Sequence, residues 1–276
     1  MKPYKIVLFT VLLFILILGF YFAYENCLDI PLKLSRVRKI LIYTDLQNPQ
    51  NYKQPVDLVV YFHGAGCDET LMRQPYSLGG LDFSNSGNLY RKDIIFASFG
   101  YDDSMHWTSP RIVKDTIRVI RYISKQFKIR KIVFIGVSMG GSLALDVLSQ
   151  ADKELKALIL GVISVFPIID YEYTLSHTQQ SGLKKHLNDH FVRYKNSVKE
   201  MKASSPITYI SGIPVATEII LVEGIQDTHV CSNQIESYFE RIKNLNEKNK
   251  LLKWDVDHRL ASVQDDYKKL VVDFLK

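Results

Sequence analysis

The sequence predicts an α/β protein built on a doubly wound, mostly parallel sheet, with a small helical insertion and a preceding N-terminal transmembrane helix. Two patterns predict the sheet. The apolar runs are continuous rather than alternating, which indicates strands that are buried on both faces. These runs also alternate along the chain with helical patterns, as parallel strands joined by crossover helices require. A chain of 276 residues is long enough to form one large core.

Each predicted strand is a short apolar run, rich in β-branched residues and bounded by polar or glycine-containing turns. The strands cover residues 39–46, 56–64, 93–100, 131–137, 157–165, 217–224 and 250–256. Helical periodicity follows several of them, and the first such helix has the favourable start Ser109-Pro110. The other predicted helices cover residues 139–149, 232–245 and 262–275.

Two segments depart from this alternation. Residues 168–205 are polar, aromatic-rich and longer than an ordinary connection, so we interpret them as an insertion that caps the carboxyl edge of the sheet. A plain surface crossover helix is the alternative. Little sequence is left between Leu46 and Val56 for a second strand, so one edge of the sheet is expected to be truncated. The main domain is predicted to cover residues 39–276.

The N-terminus predicts a membrane anchor. Residues 6–24 carry no charge, follow Lys2 and Lys5, and approach the length of about 20 residues that crosses a bilayer. A cleaved signal peptide is the alternative, but Tyr21, Phe22 and Tyr24 stand where a cleavage site needs small residues. We therefore expect a single-pass signal anchor over residues 1–25 and a linker over 26–38. Lys2 and Lys5 favour an N-terminus on the inside of the membrane, whereas the basic residues Lys33, Arg36, Arg38 and Lys39 favour the reverse orientation. Because most such anchors export the bulk of the chain, we expect an extracytoplasmic main domain.

Composition excludes several classes of function. The net charge of +6 is modest, and no repeat, low-complexity tract or nucleic-acid motif is present. Basic residues over 111–131 interleave with apolar residues at helical spacing, which indicates the solvated face of an amphipathic helix. A surface that binds anionic lipid or an acidic partner is the alternative. Three cysteines without metal spacing predict neither a zinc site nor a disulfide framework; a Cys67–Cys231 bridge stays open.

One short motif is the first candidate for chemistry. Gly136-Val137-Ser138-Met139-Gly140 lies where a predicted strand meets a predicted helix. A sharp turn there would expose Ser138, and the flanking glycines would let the turn close without side-chain collision. Ser138 is thus a candidate nucleophile, and the backbone N–H of Met139 at the helix start is a candidate donor to an oxyanion.

Three further predicted strands end beside candidate partners, and binding sites in open α/β sheets form beyond the carboxyl ends of the strands. His63-Gly64-Ala65-Gly66 can direct the N–H of Ala65 at the same oxyanion, with His63 itself interpreted as structural. Asp227 can orient an imidazole, and His258 can serve as the base for Ser138. Asp255 and Asp257 are interpreted as solvated or as local hydrogen-bond partners.

Taken together, these residues resemble the α/β-hydrolase superfamily from about Lys39 to the end of the chain. The chain order Ser138, Asp227, His258 is the order of nucleophile, acid and histidine in that fold. The resemblance implies a serine hydrolase with this triad, an oxyanion hole formed by Ala65 and Met139, and no cofactor or metal. The segment "SPITYISGIP" is also similar to esterase-like and serine peptidase-like members.

The function predicted from these features is a membrane-anchored carboxylic ester hydrolase, of carboxylesterase or lipase type, that acts on a small-molecule or lipid-like ester. A serine peptidase of the aminopeptidase or dipeptidyl-peptidase type is the alternative, and a non-catalytic binding protein with the same fold is a third hypothesis. His106 and Trp107 follow another predicted strand, so they are candidate substrate contacts. No nucleic-acid partner is expected.

Overall fold

The computed structural model describes residues 26–27, 37–43, 53–70, 93–101, 105–192 and 197–276. Their central feature is an eight-stranded sheet with the strand order β1-β2-β4-β3-β5-β6-β7-β8. This architecture confirms the predicted α/β fold with a mostly parallel sheet. In chain order the strands are β1 Asn26–Cys27, β2 Val37–Tyr43, β3 Val56–Phe62, β4 Ile94–Tyr101, β5 Ile129–Val137, β6 Ile159–Val165, β7 Glu218–Gly224 and β8 Lys250–Trp254.

Strands β3 to β8 pair in parallel, whereas β1 and β2 pair antiparallel at one edge. Parallel strands are covered by helices on both faces, and this explains their unbroken apolar sequences. All seven residues of β3 are buried. Leu58, Val60 and Phe62 face one core, whereas Val59 and Tyr61 face the other.

The helices cover both faces of the sheet. α1 begins at Pro110, directly after Ser109, and its buried residues follow the helical period. α2 is buried over almost its whole length against β5 and β6, as its small and apolar residues predict. The helices are α1 Pro110–Gln126, α2 Met139–Gln150, α3 Lys153–Leu158, α4 Tyr171–His177, α5 Ser181–Val192, α6 Ser197–Ala203, α7 Ser232–Ile242 and α8 Gln264–Leu275; 3₁₀ helices cover Pro206–Gly212 and Leu260–Val263.

The edge of the sheet beside β2 is formed by β1, a strand of two residues that was not predicted, in which Asn26 pairs with Ile42 and Cys27 with Leu41. This strand lies inside the segment predicted to be a linker. A strand of two residues is too short to produce a periodic pattern, so no hydrophobic periodicity predicts it.

The predicted anchor over residues 1–25 lies outside the described residues and stays a prediction. Among the residues that are described, no helix is long and apolar enough to cross a bilayer. The segment predicted as an insertion, 168–205, contains the three helices α4, α5 and α6.

A buried carboxyl group lies in the middle of α2. Asp146 is fully buried. Burial penalises the charged form, so the pKa of Asp146 is raised well above its ordinary value. The folded protein therefore holds a proton on this group that the unfolded chain releases at much lower pH.

The variant Asp146→Asn is expected to gain stability relative to the parent as pH rises. A raised folded-state pKa stabilises the fold fully below the ordinary value of 3.8, and this contribution is lost as pH rises through the raised pKa. Asparagine stays neutral throughout. Melting temperatures measured from about pH 4 to about pH 8 should increasingly favour the variant. Glu247→Gln, at an exposed carboxyl, is the control; parallel profiles for Asp146→Asn and the parent would contradict the prediction.

Candidate active site

Ser138 lies in a sharp turn between β5 and α2. Its backbone has φ 55° and ψ −124°, a conformation that L-residues rarely adopt. The turn is held by backbone hydrogen bonds: the N–H of Ser138 donates to the carbonyl of Val165 at 2.8 Å, and its own carbonyl accepts from Ser142 at 3.2 Å. A strained residue that its surroundings fix in this way is typical of a functional site.

The glycines on either side of Ser138 are required by packing. A Cβ atom on Gly140 would lie 2.1 Å from the carbonyl oxygen of Phe62, at the end of β3. A Cβ atom on Gly136 would lie 2.3 Å from the carbonyl oxygen of Gly140. Side chains at these positions would therefore push α2 away from the sheet and displace Ser138.

The structure brings Ser138, His258 and Asp227 together in one chain of hydrogen bonds. The distance from Ser138 Oγ to His258 Nε2 is 2.8 Å, and the distance from His258 Nδ1 to Asp227 Oδ2 is 2.6 Å. The Asp227 side chain is 1% exposed and that of His258 is 17% exposed. The carboxylate is thus shielded from water, while the imidazole lies at the boundary of a cavity.

Backbone contacts hold the acid and the histidine in register. Asp227 Oδ1 accepts hydrogen bonds from the N–H groups of His229, at 2.8 Å, and Val230, at 3.0 Å. The loops after β7 and β8 are also joined, because Ile225 N–H donates to the Trp254 carbonyl at 2.8 Å. Only Oδ2 of Asp227 is therefore left to accept from the imidazole.

The loop after β3 lies directly against this turn. A Cβ atom built on Gly64 would be 3.7 Å from Cβ of Ser138, and Gly66 has φ 74°. Ala65 lines the same cavity as Ser138. Met139 is the first residue of α2, so its backbone N–H has no acceptor within the helix. Of the two residues predicted to donate to an oxyanion, Met139 thus directly follows Ser138, and Ala65 lines the cavity beside it.

His63 lies in that loop but does not take part in the hydrogen-bonded chain. Its Nδ1 is 2.9 Å from the carbonyl oxygen of Gly64, and its ring centre is 5.4 Å from that of Tyr101. The side chain is buried, and burial lowers the pKa of the imidazole. This geometry agrees with the structural role expected from the sequence.

A cavity of about 300 Å³ opens beside Ser138 and His258. Its described lining is mainly apolar, and it contains no carboxylate side chain. Leu183 and His186 contribute to it from α5, so the predicted insertion lies next to Ser138. The lining comprises Gly64, Ala65, Met105, Trp107, Val137, Ser138, Ile168, Leu183, His186, His229, Val230, His258 and Leu260.

Of the two predicted substrate contacts, only Trp107 is part of the cavity lining. Trp107 lines the cavity, and its backbone N–H donates to Sδ of Met139 at 3.3 Å. His106 does not line the cavity: it is buried, its Nδ1 accepts from the N–H of Thr108, and its ring packs on Tyr101. Burial lowers the pKa of His106 well below its ordinary value, so the ring stays neutral.

Sequence reasoning did not single out two aromatic rings beside His258. His229 stacks on His258 with ring centres 5.0 Å apart, and Phe166 lies 5.6 Å away on a backbone with φ 50°. Burial, and then the proximity of His258, lower the pKa of His229. The available signals were the position of His229 two residues after Asp227 and that of Phe166 at the end of β6.

The described residues contain no group of three or more histidine, cysteine or acidic side chains arranged to hold a metal ion. Cys67 and Cys231 are both free thiols. Asp255 accepts a hydrogen bond from Gln226, and Asp257 pairs with Arg259. These two carboxylates are therefore engaged locally.

Comparison with known proteins identifies the family. The family model BD-FAE matches residues 44–242, which is more than half of the chain. The chain belongs to the BD-FAE family. BD-FAE is a family of the α/β-hydrolase type, so the resemblance to that superfamily is confirmed. No curated protein sequence matches the chain.

Several solved structures share the fold of this BD-FAE family protein at low sequence identity. An esterase from Pyrococcus furiosus has a TM-score of 0.62 at 16% identity, with 92% of each chain covered. The fluorophosphonate-binding serine hydrolase F of Staphylococcus aureus has a TM-score of 0.64 at 12% identity, with 91% of this chain and 97% of that chain covered. The acylaminoacyl peptidase of Pyrococcus horikoshii has a TM-score of 0.64 at 14% identity, and the match covers 93% of this chain but 42% of the peptidase.

Proposed function

We propose that this BD-FAE family protein is a serine hydrolase that cleaves carboxylic esters. The observation that carries the proposal is the continuous hydrogen-bonded chain from Ser138 Oγ through His258 to the buried carboxylate of Asp227. A serine hydroxyl is a weak nucleophile until a base can take its proton, and this chain provides the base and the group that orients it.

In the proposed reaction, Ser138 Oγ attacks the ester carbonyl carbon while His258 Nε2 takes the hydroxyl proton. The tetrahedral intermediate then collapses, the bond to the alkoxy oxygen breaks, and His258 returns the proton to the leaving alcohol. A water molecule, deprotonated by His258, then attacks the acyl carbon; the bond from this carbon to Ser138 Oγ breaks, His258 returns the proton to Oγ, and the carboxylic acid is released. Asp227 stabilises the imidazolium formed in each half of the cycle and keeps Nε2 facing Ser138.

We assign stabilisation of the oxyanion to the backbone N–H groups of Ala65 and Met139. Met139 directly follows Ser138, Ala65 lines the same cavity as Ser138, and backbone donors at the start of α2 carry the positive end of the helix dipole. Loss of one such donor costs about 3–4 kcal/mol of barrier. Since backbone donors have no side chain to remove, they are tested through the geometry of the turn rather than by truncation.

The cavity favours an ester with an apolar acyl group over a peptide with a free amino terminus. Recognition of an ammonium group requires a carboxylate or similar acceptors, and the described lining offers no carboxylate side chain. Trp107, Leu183 and Ile168 instead present apolar surface. The likeness in fold to an acylaminoacyl peptidase keeps a serine peptidase as the second candidate.

The test has two parts. A fluorophosphonate probe should label the protein, and peptide mass spectrometry should place the adduct on Ser138 because this is the activated serine. A panel of short-chain 4-nitrophenyl esters and aminoacyl 4-nitroanilides should then show turnover of the esters only. Absence of labelling would refute the serine hydrolase, whereas labelling with turnover of the anilides alone would favour the peptidase.

A further inference from the structure

The edge of the sheet opposite Ser138 is rich in basic side chains. The described segments that lead into the parallel strands carry six lysines and four carboxylates. Arg130, Lys131 and Lys250 follow within the first residues of β5 and β8, and the carboxylates Asp57 and Glu218 within those of β3 and β7. We call this surface the basic edge; its lead-in residues are Lys53, Lys128, Lys153, Lys156, Lys243 and Lys248, with Asp93, Asp152, Glu154 and Glu247 among them.

Several of these charges are not neutralised locally. Among the described residues, no carboxylate lies within 4 Å of the ammonium group of Lys128, Lys153, Lys156 or Lys248. Lys156 donates instead to the carbonyl oxygens of Ser149, at 2.7 Å, and Gly212, at 2.6 Å. Uncharged acceptors leave its positive charge in place. Arg130, by contrast, pairs with Asp57 and Asp93.

Exposed apolar side chains accompany the lysines. Of the four large hydrophobic residues that are exposed in the described part of the chain, two lie at the basic edge, Leu160, at 43%, and Val215, at 66%; the other two are Val198, at 47%, and Ile225, at 59%. Leu160 is the second residue of β6, and Val215 lies in the segment that leads into β7. Leu160, Lys153 and Lys156 line one shallow cavity. Lysines beside exposed apolar side chains suit the interface between lipid headgroups and acyl chains.

The chain approaches the fold from the side of this same edge. Asn26 pairs with Ile42, and Ile42 pairs with Ala97 in the middle of β4. Because β1 is antiparallel to β2 and β2 is antiparallel to β4, β1 runs in the same direction as the parallel strands, and the chain reaches Asn26 from the side of their amino ends. Only Glu25 separates Asn26 from the apolar residues 6–24. If that segment crosses a bilayer, the direction of β1 puts the bilayer on the side of the sheet that carries the basic edge.

The opposite edge carries the reverse charge. The described loops that follow the parallel strands hold one basic side chain other than histidine, Arg259, against five carboxylates besides the buried Asp227. An anionic surface would attract the basic edge and repel this one. The five carboxylates are Asp68, Glu69, Asp170, Asp255 and Asp257.

We propose that the basic edge rests on the anionic phospholipid headgroups of the bilayer into which residues 6–24 insert. Ser138 then directly follows the far end of β5, because Val137 lies about 26 Å from the first residue of the strand at a rise of about 3.3 Å per residue. The cavity opens toward water rather than toward lipid. Substrate therefore reaches Ser138 from the aqueous phase, and the membrane holds the enzyme without supplying its ester.

Lysine acetylation on vesicles tests this arrangement. The full chain is reconstituted into vesicles of phosphatidylcholine, with or without phosphatidylglycerol, and flotation establishes association with the bilayer. A water-soluble acetylating reagent and mass spectrometry then give the modification rate of each lysine. Lys128 and Lys153 should react about fivefold more slowly when phosphatidylglycerol is present, as expected for lysines near an anionic surface. Lys184 and Lys199, on α5 and α6, should not change.

A charge-reversal pair provides the matched comparison. Combining Lys128→Glu with Lys153→Glu should restore acetylation of Lys248 on phosphatidylglycerol vesicles to its rate on phosphatidylcholine alone, whereas Lys199→Glu should have no effect. Unchanged hydrolysis of a soluble ester in detergent verifies that the variants fold. Equal rates for Lys128 and Lys153 on both vesicles, protection already present in detergent, protection of Lys184 instead, or failure to float would each overturn the proposal.

Discussion

The variant Ser138→Ala is expected to lose ester hydrolysis to the background level, a fall in kcat of about 10⁶-fold. The substitution removes only the Oγ atom that lies 2.8 Å from His258 Nε2. Without this atom no acyl-enzyme can form, so fluorophosphonate labelling should disappear as well. Alanine has the same backbone restrictions as serine, so the turn at φ 55° keeps its strain and the fold should be unaffected.

Ser262→Ala is the matched control for this experiment. Its hydroxyl donates to the Arg259 carbonyl at 2.9 Å on an exposed 3₁₀ turn close to His258. It should retain both labelling and turnover. Comparable melting temperatures for the parent and the two variants would attribute the loss to chemistry. Substantial hydrolysis by Ser138→Ala would assign the reaction to another nucleophile and overturn the proposed function.

The sheet was predictable because its strands are buried on both faces, which leaves a simple apolar signature. β3 is an example, with every residue from Val56 to Phe62 buried. The residues Ser138, Asp227 and His258 were predictable because each follows a strand and parallel strands deliver their carboxyl ends to one edge. The need for glycines on either side of Ser138 was predictable from the sharp turn, but the close approach of Gly140 to Phe62 depends on tertiary packing.

Other features depend on contacts that no local pattern encodes. Neighbouring residues His106 and Trp107 follow the same strand, yet a backbone turn with φ 41° at Trp107 directs only the second to the cavity. β1 has two residues and gains its identity from pairing with β2. Asp146 is buried within α2, but in the sequence it has the pattern of an ordinary polar residue on a helix.

The variant Asp227→Asn is expected to lower kcat by about 10⁴-fold with little change in stability. Oδ1 accepts from the backbone N–H groups of His229 and Val230, so the asparagine carbonyl oxygen must occupy that position. Its amide nitrogen then takes the place of Oδ2, 2.6 Å from His258 Nδ1. An amide N–H can only donate there, so Nδ1 becomes the acceptor and the proton moves to Nε2. Nε2 can then no longer accept the proton of Ser138.

Asp227 differs from the carboxylates near it because only its side chain contacts His258 Nδ1 among the described residues. Asp255→Asn is the control, because Asp255 is exposed and accepts only from Gln226 among the described residues; it should retain full activity. The rate of fluorophosphonate labelling should fall in Asp227→Asn together with kcat, since both require Nε2 to accept the Ser138 proton. Labelling at the parental rate, or a loss of activity in Asp255→Asn instead, would show that Asp227 does not set the tautomer of His258.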